Sequence, residues 1–212
     1  MSMENLKEYL KYYFLEDYLF KEISKNFLER HYLEREEFFT IIIWKSNRAK
    51  NKYKTESRLK VNAANIKNTT SKLFRVIDKN KEKRIETMKE MVAAVQQLSG
   101  VGLPVASAIL AVCHPEDFTI VDYRAKASLI KLLNNKDAMT DKEILIDIKR
   151  RFGADPANSR SAYVKYCICC WQKAKELNIS LRDFDRALFG MDFYEGRHGL
   201  RELAVDFSNI TS

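Results

Sequence analysis

The sequence predicts an all-α fold, a bundle of many helices. Of its 212 residues, 46% are hydrophobic, which is enough to bury a sizeable core. Only 6 glycines and 3 prolines are present, too few for the many turns of an all-β protein. Apolar residues instead recur at helical spacing over much of the chain. We expect one globular helical unit over residues 1–212, with two lobes as the other possibility.

Four helices are predicted in the first part of the chain from the spacing of apolar side chains. They cover Asn5–Leu15, the residues after Asp17 as N-cap, Glu34–Trp44 and Glu56–Ile77. A buried strand is the alternative for the apolar residues Phe38–Trp44. The charged residues just before this run favour a helix that enters the core.

The same spacing predicts five helices in the middle of the chain and beyond, followed by a sixth. The five cover Glu86–Gln97, Val105–Cys113, Tyr123–Leu132, Lys142–Phe152 and Ser159–Leu177. Val105–Cys113 has almost no polar face, so we expect it to be central and packed on most sides. Pro104 suits its first turn, and His114-Pro115 ends it. Ser180–Asp183 has the form of a capping box that opens the sixth helix, which Gly190 would close.

A glycine-containing run, Leu98-Ser99-Gly100-Val101-Gly102, separates two of these helices. Two glycines around one aliphatic residue permit a tight interhelical turn whose backbone N–H groups can face outward and hold a phosphate. Asp122 follows 20 residues after Gly102, a gap that one helix and a short connection would span. The sequence therefore predicts an anion-binding turn with a carboxylate at a fixed distance downstream.

These residues resemble the helix-hairpin-helix (HhH-GPD) superfamily of DNA glycosylases. Hairpins of that family read approximately L-P-G-(V/I)-G-x-x-(T/S)-A and are followed downstream by an essential aspartate in a V-D context. Here the hairpin is Leu98–Ala106 and the pair is Val121-Asp122, so the resemblance covers residues 86–127. It implies a glycosylase-like helical bundle, double-stranded DNA with a damaged or mismatched base as partner, and base-excision repair as the process.

The resemblance also implies roles for individual residues. The hairpin amides of Gly100, Val101 and Gly102 would hold a DNA phosphate, and Asp122 would act on the sugar. The tetrapeptide Lys45-Ser46-Asn47-Arg48 follows an apolar helix and resembles in position the polar element that fills the gap left by an extruded base. An ordinary helix C-terminus with basic side chains near its carbonyl groups is the alternative.

Departures from the family pattern narrow the implied reaction. Members that also cut the DNA backbone carry a lysine two residues after the second glycine. That position is Pro104 here, so a lyase reaction through a Schiff base is not expected. Some relatives bind an iron–sulfur cluster through four spaced cysteines. No cluster is expected in this chain, because Cys113 lies far from Cys167, Cys169 and Cys170.

Asp122 has two interpretations that the sequence leaves open. A glycosylase extrudes the nucleotide, and a carboxylate can stabilise the positive charge that develops on the sugar as the base departs. Asp122 is alternatively the N-cap of the helix that begins at Tyr123. Beside the hairpin we favour catalysis. Arg124, where the family's usual residues are replaced, is either a ligand for a DNA phosphate or the partner of an acid inside the fold.

Positive charge is concentrated in residues 45–84. This segment holds 14 lysines and arginines against three acids, whereas the whole chain has a net charge of +8. A basic segment immediately upstream of a phosphate-binding turn favours a polyanionic partner, since each neutralised phosphate releases counterions. A solvated lysine-rich face is the alternative.

Composition also limits cofactors and location. No apolar stretch is long enough to cross a bilayer, and the polar N-terminus lacks the apolar core of a signal peptide. We therefore expect an intracellular, cytoplasmic protein, nucleoid-associated if bacterial, with its cysteines as reduced core residues. The three histidines have no metal-ligand spacing, so no side-chain metal site is expected. The resemblance allows a monovalent cation on the main-chain carbonyls of the hairpin.

The leading hypothesis is a monofunctional DNA N-glycosylase. The alternative is a non-catalytic DNA-binding protein that keeps the same fold, because fold does not fix function. A third hypothesis, a helical protein–protein adaptor, predicts no salt-sensitive affinity for DNA.

Overall fold

The computed structural model describes residues 14–46, 56–75, 77, 81–134 and 156–195 of the chain. Within these ranges every regular element is helical, which confirms the predicted all-α class. The chain divides into two compact units, Met1–Pro115 and Glu116–Ser212. Among the described residues, no helix has the length and apolar character that crossing a membrane requires.

The elements of both units are numbered in chain order. In the first unit they are α1 (Phe14–Asp17), the π-helical segment π1 (Tyr18–Ile23), α2 (Ser24–Arg30), α3 (Arg35–Lys45), α4 (Glu56–Ser71), α5 (Lys81–Gln96) and α6 (Leu103–Cys113). In the second unit they are α7 (Tyr123–Asn134), α8 (Pro156–Glu176) and α9 (Leu181–Glu195). Two predicted helices, Asn5–Leu15 except for its last two residues and Lys142–Phe152, lie outside the described residues.

Helix α6 is the centre of the first unit. Every residue from Val105 to Cys113 is buried, and the helix packs against α2, α3, α5 and π1. Pro104 lies in its first turn and His114 follows its last residue, as predicted. The near absence of polar side chains therefore identified the central helix correctly, because only a helix surrounded by others can bury all of its faces.

The N-terminal segment differs from its prediction at Asp17. This residue has helical backbone angles (φ −61°, ψ −42°) and its side chain caps nothing. Its carboxylate instead accepts a hydrogen bond from Lys21 Nζ at 2.9 Å. The predicted N-cap is wrong, because the residues from Phe14 onward are already helical and Asp17 lies inside the continuous run.

Helix α3 is confirmed against the strand alternative. Glu34 is its N-cap and forms a reciprocal capping box with Glu37, in which the Glu34 amide donates to Glu37 Oε2 at 2.9 Å. Glu37 is buried, and it also accepts hydrogen bonds from Asn26 and Arg30 of α2. The charged residues before the apolar run therefore fix the start of the helix and attach it to α2.

Helix α4 ends at Ser71, six residues before its predicted end at Ile77. Thr70 Oγ1 accepts the amide of Leu33 at 3.0 Å, and the carbonyl of Leu73 accepts a hydrogen bond from His114 Nε2 at 2.8 Å. Both partners are distant in sequence. The amides of Lys72, Leu73 and Phe74 donate to carbonyls three residues back, so the helix ends in a tighter turn, and the Leu73 carbonyl is used by the tertiary contact with His114.

Helix α8 forms the core of the second unit. Tyr163 and Tyr166 of this helix are fully buried core residues. All four cysteines of the chain are buried thiols, as expected. Burial raises the pKa of the thiols of Cys113 and Cys170 well above its ordinary value, so they stay protonated at neutral pH.

Helix α9 begins as predicted and ends later than predicted. The Asp183 amide donates to Ser180 Oγ at 3.0 Å, which is the expected N-terminal cap. Gly190 lies within α9, which continues to Glu195, so the prediction that it closes the helix is wrong. A glycine ends a helix by adopting positive φ, and among the described glycines Gly100, in the turn after α5, is the one with positive φ.

Replacing Gly190 by alanine is expected to raise the free energy of unfolding by about 0.5–1 kcal/mol, because alanine loses less backbone entropy in a helix. A Cβ atom built on Gly190 meets no other atom within 4 Å, so the substitution adds no clash. Urea unfolding of the two proteins measures the difference. A stability equal to or below that of the wild type would contradict the expectation.

Candidate functional site

The turn between α5 and α6 has the tight geometry that the sequence predicts. The Val101 amide donates to the Leu98 carbonyl at 3.1 Å, and Gly100 has φ 80°, in the left-handed region that favours glycine. The side chains of Leu98 and Val101 are buried and anchor the turn in the core of the first unit. The turn therefore favours glycine at position 100, because the backbone there needs a positive φ.

Gly102, by contrast, has no conformational need to be glycine. It is the N-cap of α6 with φ −81° and ψ 172°, angles that any residue adopts. A Cβ atom there would meet only Pro104 Cδ, at the ordinary contact distance of 3.9 Å. What the missing side chain provides is exposed backbone at the start of the helix.

Two amides at this helix start are available to a ligand. Within the described part of the chain, neither the Gly102 nor the Leu103 amide makes a hydrogen bond, and Pro104 has no N–H to donate. The next amide, that of Val105, already donates to the Gly102 carbonyl at 3.1 Å. Unpaired first-turn amides at the positive end of a helix favour an anion.

This arrangement changes the predicted set of phosphate ligands. The Val101 amide is used inside the turn, so its residue contributes an anchoring side chain rather than a donor. Leu103 supplies the second available amide together with Gly102, and sequence reasoning missed it. Pro104 could have indicated this donor. A proline at the second helical position has no N–H, so the amide of the residue before it is one of the few donors left in the first turn.

Asp122 lies in the second unit at the start of α7 and is half-buried. Its Oδ1 accepts the amides of Arg124 at 2.9 Å and Ala125 at 3.0 Å, the pattern of an N-cap. The prediction that Asp122 is the N-cap of this helix is therefore confirmed. Capping leaves the residue partly exposed, so it is compatible with a second role.

The segment before Asp122 is held by two buried tyrosines of α8. Tyr163 donates its hydroxyl to the Thr119 carbonyl at 2.8 Å, and Tyr166 donates to the Ile120 carbonyl at 3.5 Å. Burial raises the pKa of both hydroxyls well above its ordinary value, so they remain donors. These contacts fix the connection that delivers Asp122 to the start of α7.

Arg124 lies between two aromatic rings of the second unit. Its Nε donates to the Tyr123 hydroxyl at 2.8 Å. Its guanidinium carbon lies 5.3 Å from the Tyr123 ring centroid and 5.5 Å from that of Phe189 in α9. Tyr123 itself is 70% exposed.

The tetrapeptide Lys45-Ser46-Asn47-Arg48 is only partly described. Lys45 is the last residue of α3, and Ser46 is its C-cap, with its amide donating to the Ile42 carbonyl at 2.8 Å. The alternative of an ordinary helix C-terminus accounts for these two residues. Asn47 and Arg48 lie outside the described residues.

The basic segment 45–84 lies mostly outside the described side chains, and its described members have varied surroundings. Lys67 Nζ is 4.1 Å from the centroid of the Tyr32 ring, and Arg75 forms an ion pair with Glu90. Lys67, Arg75 and Lys72 are exposed.

Side chains and main-chain carbonyls are both possible ligands for a metal ion or a cation. Across the described ranges, histidine, cysteine and acidic side chains form no group of three or more that could hold a metal ion. The carbonyls of Leu98 and Gly102 already accept amide hydrogen bonds from the turn and from α6.

Comparison with known proteins gives no match, whether to family models, to curated proteins or to solved structures. Each unit therefore has its own candidate residues: the amides of Gly102 and Leu103 in the first unit, and the half-buried carboxylate of Asp122 in the second.

Proposed function

We propose that this protein binds double-stranded DNA and is a monofunctional DNA N-glycosylase of base-excision repair. One observation carries the proposal. The backbone angles of Gly102 do not require a glycine, and the missing side chain leaves its backbone exposed. The amides of Gly102 and Leu103 have no hydrogen-bond partner among the described residues. A phosphate group satisfies both amides at the positive end of α6. The resemblance of residues 86–127 to the helix-hairpin-helix glycosylases supports the same ligand.

Asp122 is the proposed catalytic residue. The extruded nucleotide loses its base when the bond from base to sugar breaks and the base leaves with the bonding electron pair. The Asp122 carboxylate stabilises the positive charge that develops on the sugar. A water oxygen then bonds to the sugar carbon. The water loses a proton, which neutralises the negative charge of the departed base. Pro104 supplies no amine for a Schiff base, so backbone cleavage by that route is not part of the proposal.

A non-catalytic DNA-binding protein of the same fold is the second candidate. The observation that favours it is the capping role of Asp122, whose Oδ1 accepts two backbone amides. Such a cap would be retained for stability even after the chemistry was lost. Release of a base from duplexes that carry different lesions or mismatches separates the two: release supports the enzyme, and salt-sensitive binding without release supports the second candidate.

Replacing Gly102 by aspartate tests the phosphate contact. Aspartate and asparagine are both favourable N-cap residues, and the Gly102 backbone angles suit either, so both variants are expected to fold as stably as the wild type. The negative charge of Gly102→Asp should raise the Kd for a DNA duplex by about tenfold or more, through repulsion of the phosphate. The uncharged Gly102→Asn should have a smaller effect.

Fluorescence anisotropy with a labelled duplex at several salt concentrations measures both affinities. Equal binding by Gly102→Asp and the wild type would remove the turn from the DNA interface. A wild-type protein without salt-sensitive DNA affinity would overturn both candidate functions and leave the helical adaptor.

A further inference from the structure

Tyr123 is an unusually exposed aromatic residue. At 70% it has the highest exposure of the large hydrophobic side chains in the described part of the chain. Tyrosine normally buries its ring and leaves only the hydroxyl in water. Here the first residue of α7, directly after Asp122, presents its ring to solvent.

The Tyr123 ring is exposed but not unsupported. Arg124 Nε donates to its hydroxyl at 2.8 Å, and the guanidinium carbon lies 5.5 Å from the Phe189 ring. Helix α9, which carries Phe189, packs against α7. Because Arg124 holds the ring by its hydroxyl, the ring is ordered before a ligand arrives and little of its freedom remains to be lost on binding.

The surroundings of Tyr123 favour a nucleotide over an apolar protein surface. Its sequence neighbours are Asp122 and Arg124, and the Arg124 guanidinium carbon lies 5.3 Å from the ring centroid, so charged groups adjoin the ring. An aromatic face stacks with any nucleobase, and a guanidinium is a good ligand for phosphate. The start of α7 adds the positive end of a helix dipole beside them.

We propose that Tyr123 stacks on an unpaired nucleobase of DNA while Arg124 contacts a neighbouring phosphate. This inference rests on the proposed function and specifies its substrate: DNA in which one base has left the helical stack. The cluster formed by Tyr123, Arg124 and Phe189 then distinguishes such a site from fully paired DNA. The ring contributes by contact with the base, so Tyr123 is a binding residue that leaves the chemistry to Asp122.

The test uses two duplexes of otherwise equal sequence, one fully paired and one with a single unpaired 2-aminopurine. The wild type is expected to prefer the second duplex and to quench the 2-aminopurine fluorescence by stacking. Tyr123→Ala should bind the unpaired duplex about tenfold more weakly, with unchanged affinity for the paired one. Tyr123→Phe keeps the ring but loses the hydroxyl that Arg124 holds, so it should retain the quenching and a preference for the unpaired duplex larger than that of Tyr123→Ala.

The outcomes separate the inference from the function on which it rests. Tyr123 is exposed, so both variants should unfold at the wild-type temperature, which a thermal melt checks. If the wild type binds paired DNA and Tyr123→Ala keeps the preference and the quenching, the stacking site is overturned and the function stands. An equal loss of affinity for both duplexes also overturns it. If the wild type binds neither duplex, the proposed function fails as well.

Discussion

Asp122→Asn is expected to slow base release by about 10²–10⁴-fold, the usual range for removing a catalytic carboxylate that moves a proton or stabilises charge. The side chain keeps its size and one acceptor oxygen. The amides of Arg124 and Ala125, now 2.9 and 3.0 Å from Oδ1, therefore keep an acceptor. What the substitution removes is the negative charge that would face the developing charge on the sugar.

Asparagine is a helix N-cap as good as aspartate, so the free energy of unfolding should change by less than about 0.5 kcal/mol. This separates the two roles of the residue. Asp122→Ala removes both, and we expect it to cost about 1 kcal/mol of stability in addition to the lost activity. Single-turnover base release, paired with urea unfolding of all three proteins, measures the effects. Unchanged release by Asp122→Asn would leave the residue as a cap only.

Tyr163→Ala is expected to lower the free energy of unfolding by about 3–5 kcal/mol, enough to unfold a marginally stable domain. Tyr163 is fully buried and lies parallel to Phe118, with ring centroids 6.3 Å apart. Its removal opens a cavity in the second unit. It also leaves the buried Thr119 carbonyl without the hydroxyl that donates to it at 2.8 Å.

Phenylalanine variants separate the hydrogen bond from the packing. Tyr163→Phe keeps the ring and should cost about 1–2 kcal/mol, because the buried Thr119 carbonyl loses its donor. Tyr166→Phe is the matched control, since its hydroxyl lies 3.5 Å from the Ile120 carbonyl and makes a weaker bond. We expect a loss below about 1 kcal/mol there. Chemical denaturation ranks the variants, and equal losses would show that the two contacts do not differ as their lengths indicate.

Local spacing predicted most of the helices. The apolar run from Val105 to Cys113 identified the central helix, and the acidic start of α3 identified a helix where a strand was the alternative. The errors occur at residue types that are found both at helix ends and inside helices. Asp17 and Gly190 are typical of helix ends, yet both lie inside helical runs, because neighbouring residues continue the backbone hydrogen bonding past them.

The local structure of the glycine turn and of the Asp122 cap was predictable only in part. The glycine turn and Asp122 were found from their spacing, and Asp122 is a cap as one interpretation expected. Which amides of the turn remain available was not predictable, because the answer depends on the Val101 amide turning back to the Leu98 carbonyl. The aromatic neighbours of Arg124 were not predictable either, since Phe189 is 65 residues away in sequence.

The sequence by itself determined the all-α class, the central position of α6 and the glycine turn before it. These follow from side-chain spacing and backbone freedom over a few adjacent residues, which act whatever the rest of the chain does. The tertiary structure alone decided how Tyr163 and Tyr166 hold the segment before Asp122, and which aromatic ring of α9 lies beside Arg124. Each of those depends on hydrogen bonds or packing between groups that only folding brings together.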